Sequence, residues 1–182
     1  MEQNHLNPAR ALCFGAAAAV LTFLMTVFPK VPIPLGYAHL GDAVIFLAAL
    51  YMGRREAGLA AAVGSALADL LGGFPIWIIP TLVIKYVMVE IVARSAGEEW
   101  KLFSLPVLIG FVLSSLWMAA AYTLAGAAIY GSLAAGLAST PGLLLEGLVN
   151  TVAAFAAGAV LVKMGFRLPE GGSARKPLPS LH

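Results

Sequence analysis

Residues 36–73 read GYAHLGDAVIFLAALYMGRREAGLAAAVGSALADLLGG, a stretch that sets a few polar residues among many apolar ones. It predicts two short membrane helices, 40–53 and 57–71, joined by a tight basic turn. At about 1.5 Å per residue these helices are roughly 21 and 23 Å long, which is shorter than a hydrocarbon core of about 30 Å. We therefore expect neighbouring helices to cover their ends.

Two acidic residues and one histidine lie at the open end of this stretch, opposite the basic turn, which holds Glu56. The three residues at the open end are His39, Asp42 and Asp69. An acid inside an apolar helix costs about 2.5–3.5 kcal/mol on insertion scales and is normally tolerated only within a bundle or beside a water-filled cavity. Asp42 and Asp69 either contact a ligand or tie helix ends through backbone donors. We interpret the helix pair as a structural support whose open end presents polar side chains.

The composition excludes a soluble globular domain. Of the 182 residues 60% are hydrophobic and 11% are charged, and the mean hydropathy is +0.91. Soluble domains are nearer half apolar and a quarter charged. Cys13 is the single cysteine, so the sequence provides neither a disulfide framework nor a cysteine metal site. The chain is predicted to be an integral membrane protein.

Motifs of enzymes are absent from the sequence. It contains no P-loop, no G-x-S-x-G and no H-E-x-x-H, and its three histidines are too scattered to ligate one metal ion. We therefore predict a protein that is not an enzyme, with no metal, no covalently bound cofactor and no nucleic-acid partner. If it moves a solute uphill, an ion gradient or a separate ATPase must supply the energy.

The predicted fold class is an all-α integral membrane protein, a bundle of six transmembrane helices of which two are short. The predicted spans are 9–28, 40–53, 57–71, 75–93, 105–130 and 143–164. A stiff proline-rich loop, 29–34, follows the first span, and a loop of small residues, 131–142, precedes the last. Residues 1–166 form one membrane domain, and residues 167–182, rich in Gly, Pro and Ser, are predicted to be a disordered tail.

The basic residues predict that both termini are cytoplasmic. Nine of the 11 Lys and Arg residues then lie on the inner side, whereas Lys30 alone lies in an outer loop and Lys85 lies within a span. This distribution follows the rule that inner loops carry the positive charge. The predicted location is the cytoplasmic membrane of a prokaryotic cell, and the bilayer is a partner of the whole domain.

Polar and aromatic residues from several helices converge in the outer half of this arrangement. The candidate substrate-binding residues are Tyr37, His39, Asp42, Asp69, Trp77, Lys85, Trp117, Tyr122, Glu146 and Asn150. Aromatic rings stack on a heteroaromatic solute and exclude water, while a few polar anchors fix its orientation. Lys85 either pairs with Glu146 or binds the substrate. Tyr37, His39 and Trp77 either contact ligand or mark the membrane interface.

Small residues recur in the first span. Ala11, Gly15 and Ala19 follow one another at intervals of four, which allows another helix to approach closely. That helix belongs either to this protein or to a partner subunit.

The motifs GYAHLGDAVIFLAAL and GSALADLLGG, after a proline-rich first loop, resemble the substrate-binding (S) components of energy-coupling factor (ECF) transporters. They are most similar to the group assigned to hydroxymethylpyrimidine and pyridoxine-type substrates. The resemblance implies capture of a vitamin or precursor from outside, beneath the first loop. It also implies delivery through a membrane coupling subunit and two cytoplasmic ATPases that use ATP, with the small residues of the first helix docking the coupling subunit.

The resemblance also implies roles for single residues. Tyr37 and His39 match the capping loop, and Asp42 and Asp69 match the acids of the motifs. We expect aromatic residues to sandwich a pyridine or pyrimidine ring while Glu146, Asn150 and His39 bond its hydroxyl groups or ring nitrogens.

Two other classes of protein fit the sequence. A self-sufficient proton-coupled carrier would use Asp69, Glu146 or Lys85 as a titrating switch. A structural membrane protein of the cell-shape machinery would use its surface only for partners.

Overall fold

The computed structural model describes residues 8–97 and 101–166. Within them lie α1 (Pro8–Val27), β1 (Val31–Ile33), β2 (Gly36–Ala38), α2 (Gly41–Tyr51), α3 (Arg54–Leu71), α4 (Ile78–Ser95), α5 (Leu105–Tyr130) and α6 (Leu133–Lys163). A short 3₁₀ turn, Pro75–Trp77, leads into α4. The predicted disordered tail, 167–182, lies outside the described residues.

In the part of the chain that the structure describes, three segments are long and apolar enough to cross a membrane: Pro75–Ser95, Leu105–Tyr130 and Leu133–Lys163. Their outward side chains are apolar, as Leu108, Val112 and Leu116 illustrate on α5. This mostly helical architecture agrees with the predicted class of all-α membrane protein. The count of six spans and the cytoplasmic position of both termini remain predictions.

The short helix α2 lies at the centre of the bundle. It has 11 residues and packs against α1, α3, α4 and α6. Ile45, Phe46 and Leu50 are wholly buried, and the Phe46 ring stacks on Phe111 of α5 with 4.6 Å between centroids. As the sequence predicted, other helices surround α2.

The turn between α2 and α3 is shorter than predicted. Helix α3 begins at Arg54 and has 18 residues, so its first turn contains residues that the sequence analysis assigned to the turn. The Arg54 guanidinium bonds the Glu90 carboxylate of α4, and the Arg94 guanidinium lies 3.1 Å from the same carboxylate. These contacts fix the start of α3 against α4.

The prediction of a loop over residues 131–142 is wrong. Helix α6 begins at Leu133 and continues through Pro141, whose missing N–H is tolerated on an exposed face. The small residues pack closely here instead of forming a loop. A Cβ atom at Gly136 would lie 2.4 Å from the Thr123 carbonyl oxygen of α5, and the Thr123 and Thr140 hydroxyls are 2.7 Å apart.

The proline-rich segment after α1 forms a hairpin and not merely a loop. Strands β1 and β2 pair antiparallel, with Val31 opposite Ala38 and Ile33 opposite Gly36. Leu35 adopts a positive φ of 64° at the turn, a conformation that few residues other than glycine accept. Leu40 N–H then donates to the Met25 carbonyl at 3.1 Å, which ties the end of the hairpin to α1.

Two glycines provide a matched test of the approach between α1 and α3. A Cβ atom at Gly64 would lie 2.4 Å from the Ala19 carbonyl oxygen, whereas one at Gly15 would have no neighbour within 4 Å. Because the backbone cannot yield easily, we expect Gly64→Ala to destabilise the protein by about 1–3 kcal/mol. Gly15→Ala should be neutral or stabilising by up to about 1 kcal/mol. Thermal unfolding in detergent measures both, and equal unfolding midpoints for the two variants would contradict the packing.

Candidate functional site

A cavity of about 70 Å³ lies beneath the hairpin, between the C-terminal parts of α3 and α5, the first half of α6 and the 3₁₀ turn that leads into α4. Its lining comprises residues 33–37, His39, Asp69, Phe74, Trp77, Tyr122, Ser139, Leu143 and Glu146. A water needs roughly 10–15 Å³ of such space, so the cavity has room for several waters or for part of a small ring. It is the candidate binding site.

The cavity brings together six of the ten predicted site residues, namely Tyr37, His39, Asp69, Trp77, Tyr122 and Glu146. The other four, Asp42, Lys85, Trp117 and Asn150, do not line it. The structure adds Phe74 and Ser139, which the sequence analysis did not select. Ser139 was missed because it lies in the segment interpreted as a loop, and Phe74 gave no signal beyond following two glycines.

Aromatic rings form two groups at the cavity. The Tyr37 ring lies 5.4 Å from Phe74 and 5.8 Å from His39, centroid to centroid. Trp77 lies 5.7 Å from Tyr122, whose hydroxyl donates to Thr81 Oγ1 at 3.0 Å. All of these pairs are tilted, an arrangement that aromatic pairs favour. A flat solute in the cavity would therefore meet aromatic surface from two sides.

Tyr37 links the hairpin to α3. Its hydroxyl donates to Asp69 Oδ1 at 3.2 Å, and the Lys30 ammonium lies 4.1 Å from the centre of its ring. Burial, followed by the charge of Asp69, raises the pKa of the Tyr37 hydroxyl well above its usual range, so that Tyr37 remains a donor. Asp69 Oδ2 is buried and has no hydrogen-bond partner in the part of the chain that the structure describes.

Lys85 pairs with Asp42. Its Nζ lies 2.5 Å from Asp42 Oδ1, and their side chains are only 1% and 0% exposed. The sequence predicted either Glu146 or the substrate as the partner of Lys85, and Asp42 takes that place instead. Since Asp42 belongs to the first turn of α2 and Lys85 to α4, the ion pair clamps these two helices together.

Asn150 supplies the helix cap that α2 lacks locally. Its Oδ1 accepts from Ala43 N–H at 2.8 Å, and its Nδ2 donates to the His39 carbonyl at 2.7 Å and the Glu146 carbonyl at 2.9 Å. The first N–H groups of any helix need acceptors from outside the helix. Both amide hydrogens of Asn150 are thus bound within the protein, which makes it a positioning residue beside the cavity.

His39 and Glu146 meet at the base of the hairpin. Gly41 N–H donates to His39 Nδ1 at 3.1 Å, and Glu146 Oε1 lies 3.2 Å from the same nitrogen. Burial and, secondarily, the charge of Lys85 lower the pKa of His39 to about 4, so the ring is neutral at pH 7. The contact is therefore not an ion pair, and the buried Glu146 Oε1 has no donor within residues 8–97 and 101–166.

His39, Asp42 and Glu146 offer atoms within 4.8 Å of one another, which is the spacing of a metal site. However, the Lys85 ammonium already neutralises Asp42, and Gly41 N–H occupies the His39 Nδ1 lone pair. We therefore do not assign this cluster to a metal ion.

Trp117 lies on the outer face of α5. Its side chain is partly exposed, and its Nε1 donates to the Ile84 carbonyl of α4 at 3.2 Å. Five residues separate it from Tyr122, which corresponds to roughly 140° around a helix with 3.6 residues per turn. The two rings therefore cannot face the same cavity.

The small residues of α1 divide between two environments. Ala11, Gly15 and Ala19 are all half-buried. The Ala19 carbonyl already packs against Gly64 of α3, whereas the space beside Gly15 is open. Docking of a partner by this face remains a prediction.

The Lys85–Asp42 pair can be tested with a double-mutant cycle. Removing one member leaves a buried charge uncompensated, so Lys85→Met should destabilise the protein by about 3–5 kcal/mol. We expect Lys85→Met combined with Asp42→Asn to restore a large part of that loss. Unfolding of the four proteins in denaturant measures the coupling energy. A cycle with Glu146→Gln in place of Asp42→Asn is the control, and a larger coupling there would contradict the assigned partner.

The neutral state of His39 predicts a pH dependence. Because its pKa is about 4 in the folded protein and about 6.5 when unfolded, the unfolded state binds more protons between these values. Stability should therefore fall as the pH is lowered from 6.5 to 4, by up to about 3 kcal/mol for this group. Denaturant unfolding of wild type and His39→Gln at pH 7.5, 5.5 and 4.5 isolates the effect. Identical pH profiles would show that His39 does not contribute it.

Comparison with known proteins assigns the chain to a family. The family model described as "ECF-type riboflavin transporter, S component" matches residues 8–164. The chain is also 35% identical to the "Uncharacterized protein in gap 3'region" of Pyrococcus woesei over 111 residues, which cover 58% of this chain and 71% of the relative. Members of the matched family are substrate-binding components of transporters and not enzymes, and the predicted resemblance to S components is confirmed. Since the match extends over most of its length, the chain belongs to the family of ECF-type riboflavin transporter S components, multi-pass membrane proteins of vitamin uptake.

Proposed function

We propose that this S component captures a flat heteroaromatic vitamin or vitamin precursor in the cavity beneath the β1–β2 hairpin. One observation carries the proposal. Three buried polar atoms of cavity-lining residues, Asp69 Oδ2, Glu146 Oε1 and Trp77 Nε1, have no hydrogen-bond partner in the described structure. A buried polar atom without a partner costs about 1–3 kcal/mol, so a solute that pairs with these atoms regains that free energy on binding.

The chemistry of the three atoms describes the solute. Two are carboxyl oxygens, which accept hydrogen bonds, and the third is an indole N–H, which donates. The matching solute offers at least two donors and one acceptor around a ring that fits between the aromatic groups. Heteroaromatic rings that carry hydroxyl or amino groups have this combination.

Two kinds of vitamin satisfy the description. Riboflavin, which the description of the family names, has ring carbonyl groups and a hydroxylated side chain. Pyridoxine and hydroxymethylpyrimidine, the substrate type predicted from residues 36–73, offer ring nitrogens together with hydroxyl or amino groups. A panel that contains all three compounds decides between the two kinds.

The energy for uptake comes from partner subunits in this proposal. The sequence contains no nucleotide-binding motif, and the ECF family implies a membrane complex with an ECF module. We propose that this module comprises a membrane coupling subunit and two cytoplasmic ATPases. The cavity opens toward the outside of the cell if the basic residues orient the chain as predicted.

Two tryptophans provide a matched optical test of the binding site. Trp77 is buried in the cavity wall, and Trp117 lies on the outer face of α5. Titration of the purified protein with the vitamin panel should quench tryptophan fluorescence for at least one compound. We expect Trp77→Phe to remove most of the quenching and to weaken binding by about tenfold, because phenylalanine lacks the indole N–H and a hydrogen bond contributes about 0.5–1.5 kcal/mol.

Trp117→Phe is the control and should leave both affinity and quenching close to wild type. Isothermal titration calorimetry provides affinities that do not depend on fluorescence. Quenching that survives Trp77→Phe and disappears with Trp117→Phe would move the site away from this cavity, and the absence of binding by every compound would reject the proposed function.

A further inference from the structure

Acidic side chains outnumber basic ones around the cavity. Three carboxyl groups, those of Asp42, Asp69 and Glu146, lie within or beside it, and Lys85 is the single wholly buried cation among the described residues. The Lys85 ammonium is committed to Asp42. Within residues 8–97 and 101–166, no lysine or arginine forms a salt bridge with Asp69 or Glu146.

A further cation lies next to the hairpin residue Tyr37. Lys30 has its ammonium over the Tyr37 ring, 4.1 Å from the centroid. A Cβ atom at Gly72 would lie 3.1 Å from the same ammonium, which places it near the end of α3. Among the residues that the structure describes, no lysine or arginine lines the cavity.

His39 does not supply the missing positive charge. Its Nδ1 lone pair accepts from Gly41 N–H, and its ring lies directly against Glu146 without forming an ion pair at neutral pH. The hydroxyl of Tyr37 provides one donor to Asp69, but only to Oδ1. One oxygen on each of the two acids, Asp69 Oδ2 and Glu146 Oε1, has no hydrogen-bond partner in the described part of the chain.

We propose that Asp69 and Glu146 are the residues that set the charge specificity of the cavity, which takes neutral or cationic ligands rich in donors and rejects anionic forms. This inference rests on the proposed function and defines its substrate class. A carboxylate or phosphate on the ring would face these two acids or would require them to be protonated at neutral pH, and either condition weakens binding. A hydroxyl, an amino group or an ammonium would instead donate to the free oxygens.

The preference for neutral or cationic ligands over anionic ones, here called the charge rule, is tested with matched series of ligands. The series is chosen for the ring that the vitamin panel identifies. For a pyridine ring the series is pyridoxamine, pyridoxine and 4-pyridoxate, which differ in one substituent that is cationic, neutral or anionic. For a flavin the pair is riboflavin and riboflavin 5′-phosphate. We expect the anionic member to bind on the order of 100-fold more weakly than the neutral one, since opposing like charges across an interface is costly.

Isosteric variants identify the residues responsible. Asp69→Asn and Glu146→Gln keep size and hydrogen-bonding capacity but remove charge, and together they should reduce the difference to less than about tenfold. The single variants, each expected to reduce it in part, retain the test if the double variant does not fold. Glu56→Gln is the control, because Glu56 lies at the opposite end of α3, about 20 Å from Asp69 along the helix. It should leave the discrimination unchanged.

The outcomes separate the two proposals. A wild-type protein that binds the neutral and anionic forms within tenfold of each other overturns the charge rule while the proposed function stands. If the Asp69→Asn and Glu146→Gln variants keep the full difference in affinity between neutral and anionic ligands, these two acids do not set the charge specificity. If no member of either series binds, the proposed function fails and the charge rule fails with it.

Discussion

The buried ion pair between Lys85 and Asp42 is the interaction on which the rest of the site depends. It holds the first turn of α2 against α4, and both partners are almost completely sealed from water. Removing two charges from water is expensive, and the close approach of the pair offsets part of that cost, although Asp42 Oδ2 has no hydrogen-bond partner in the described structure. The ion pair therefore favours one rotation and one depth of α2 within the bundle. From that rotation and depth follow the cap that Asn150 provides and the contact of His39 with Glu146.

The cavity owes its place to the shortness of α2. At about 1.5 Å per residue, its 11 residues extend only about 16 Å, roughly half the thickness of a hydrocarbon core. If α2 spans the membrane as predicted, the β1–β2 hairpin and the cavity beneath it occupy the remaining depth. Backbone that is not helical is tolerated at such depth only where protein or a water-filled cavity surrounds it. The start of α2 is surrounded by protein in this way. Its Gly41 and Ala43 N–H groups donate to the side chains of His39 and Asn150.

Errors in the sequence interpretation have identifiable physical causes. Small residues with a proline, 131–142, have the composition of a loop, but in this bundle they let α6 approach α5 closely. Aromatic residues in an apolar helix are equally compatible with lipid and with a cavity wall. Trp117 and Tyr122 illustrate both outcomes on one helix, because helical geometry places them on different faces.

The sequence by itself determined that the chain is an all-α membrane protein, where most of its helices lie and which family it belongs to. Apolar length fixes a span almost independently of context, so α1 and α5 begin and end within one residue of the predicted ranges. Polar residues in apolar helices cost free energy unless they are enclosed by protein, and this cost indicated that the polar residues of different helices converge. Only the tertiary structure decided that Lys85 pairs with Asp42, that Asn150 caps α2 and that Asp69 and Glu146 keep free oxygens. These choices depend on the rotation and depth of each helix in the bundle, and the packing of the side chains sets both.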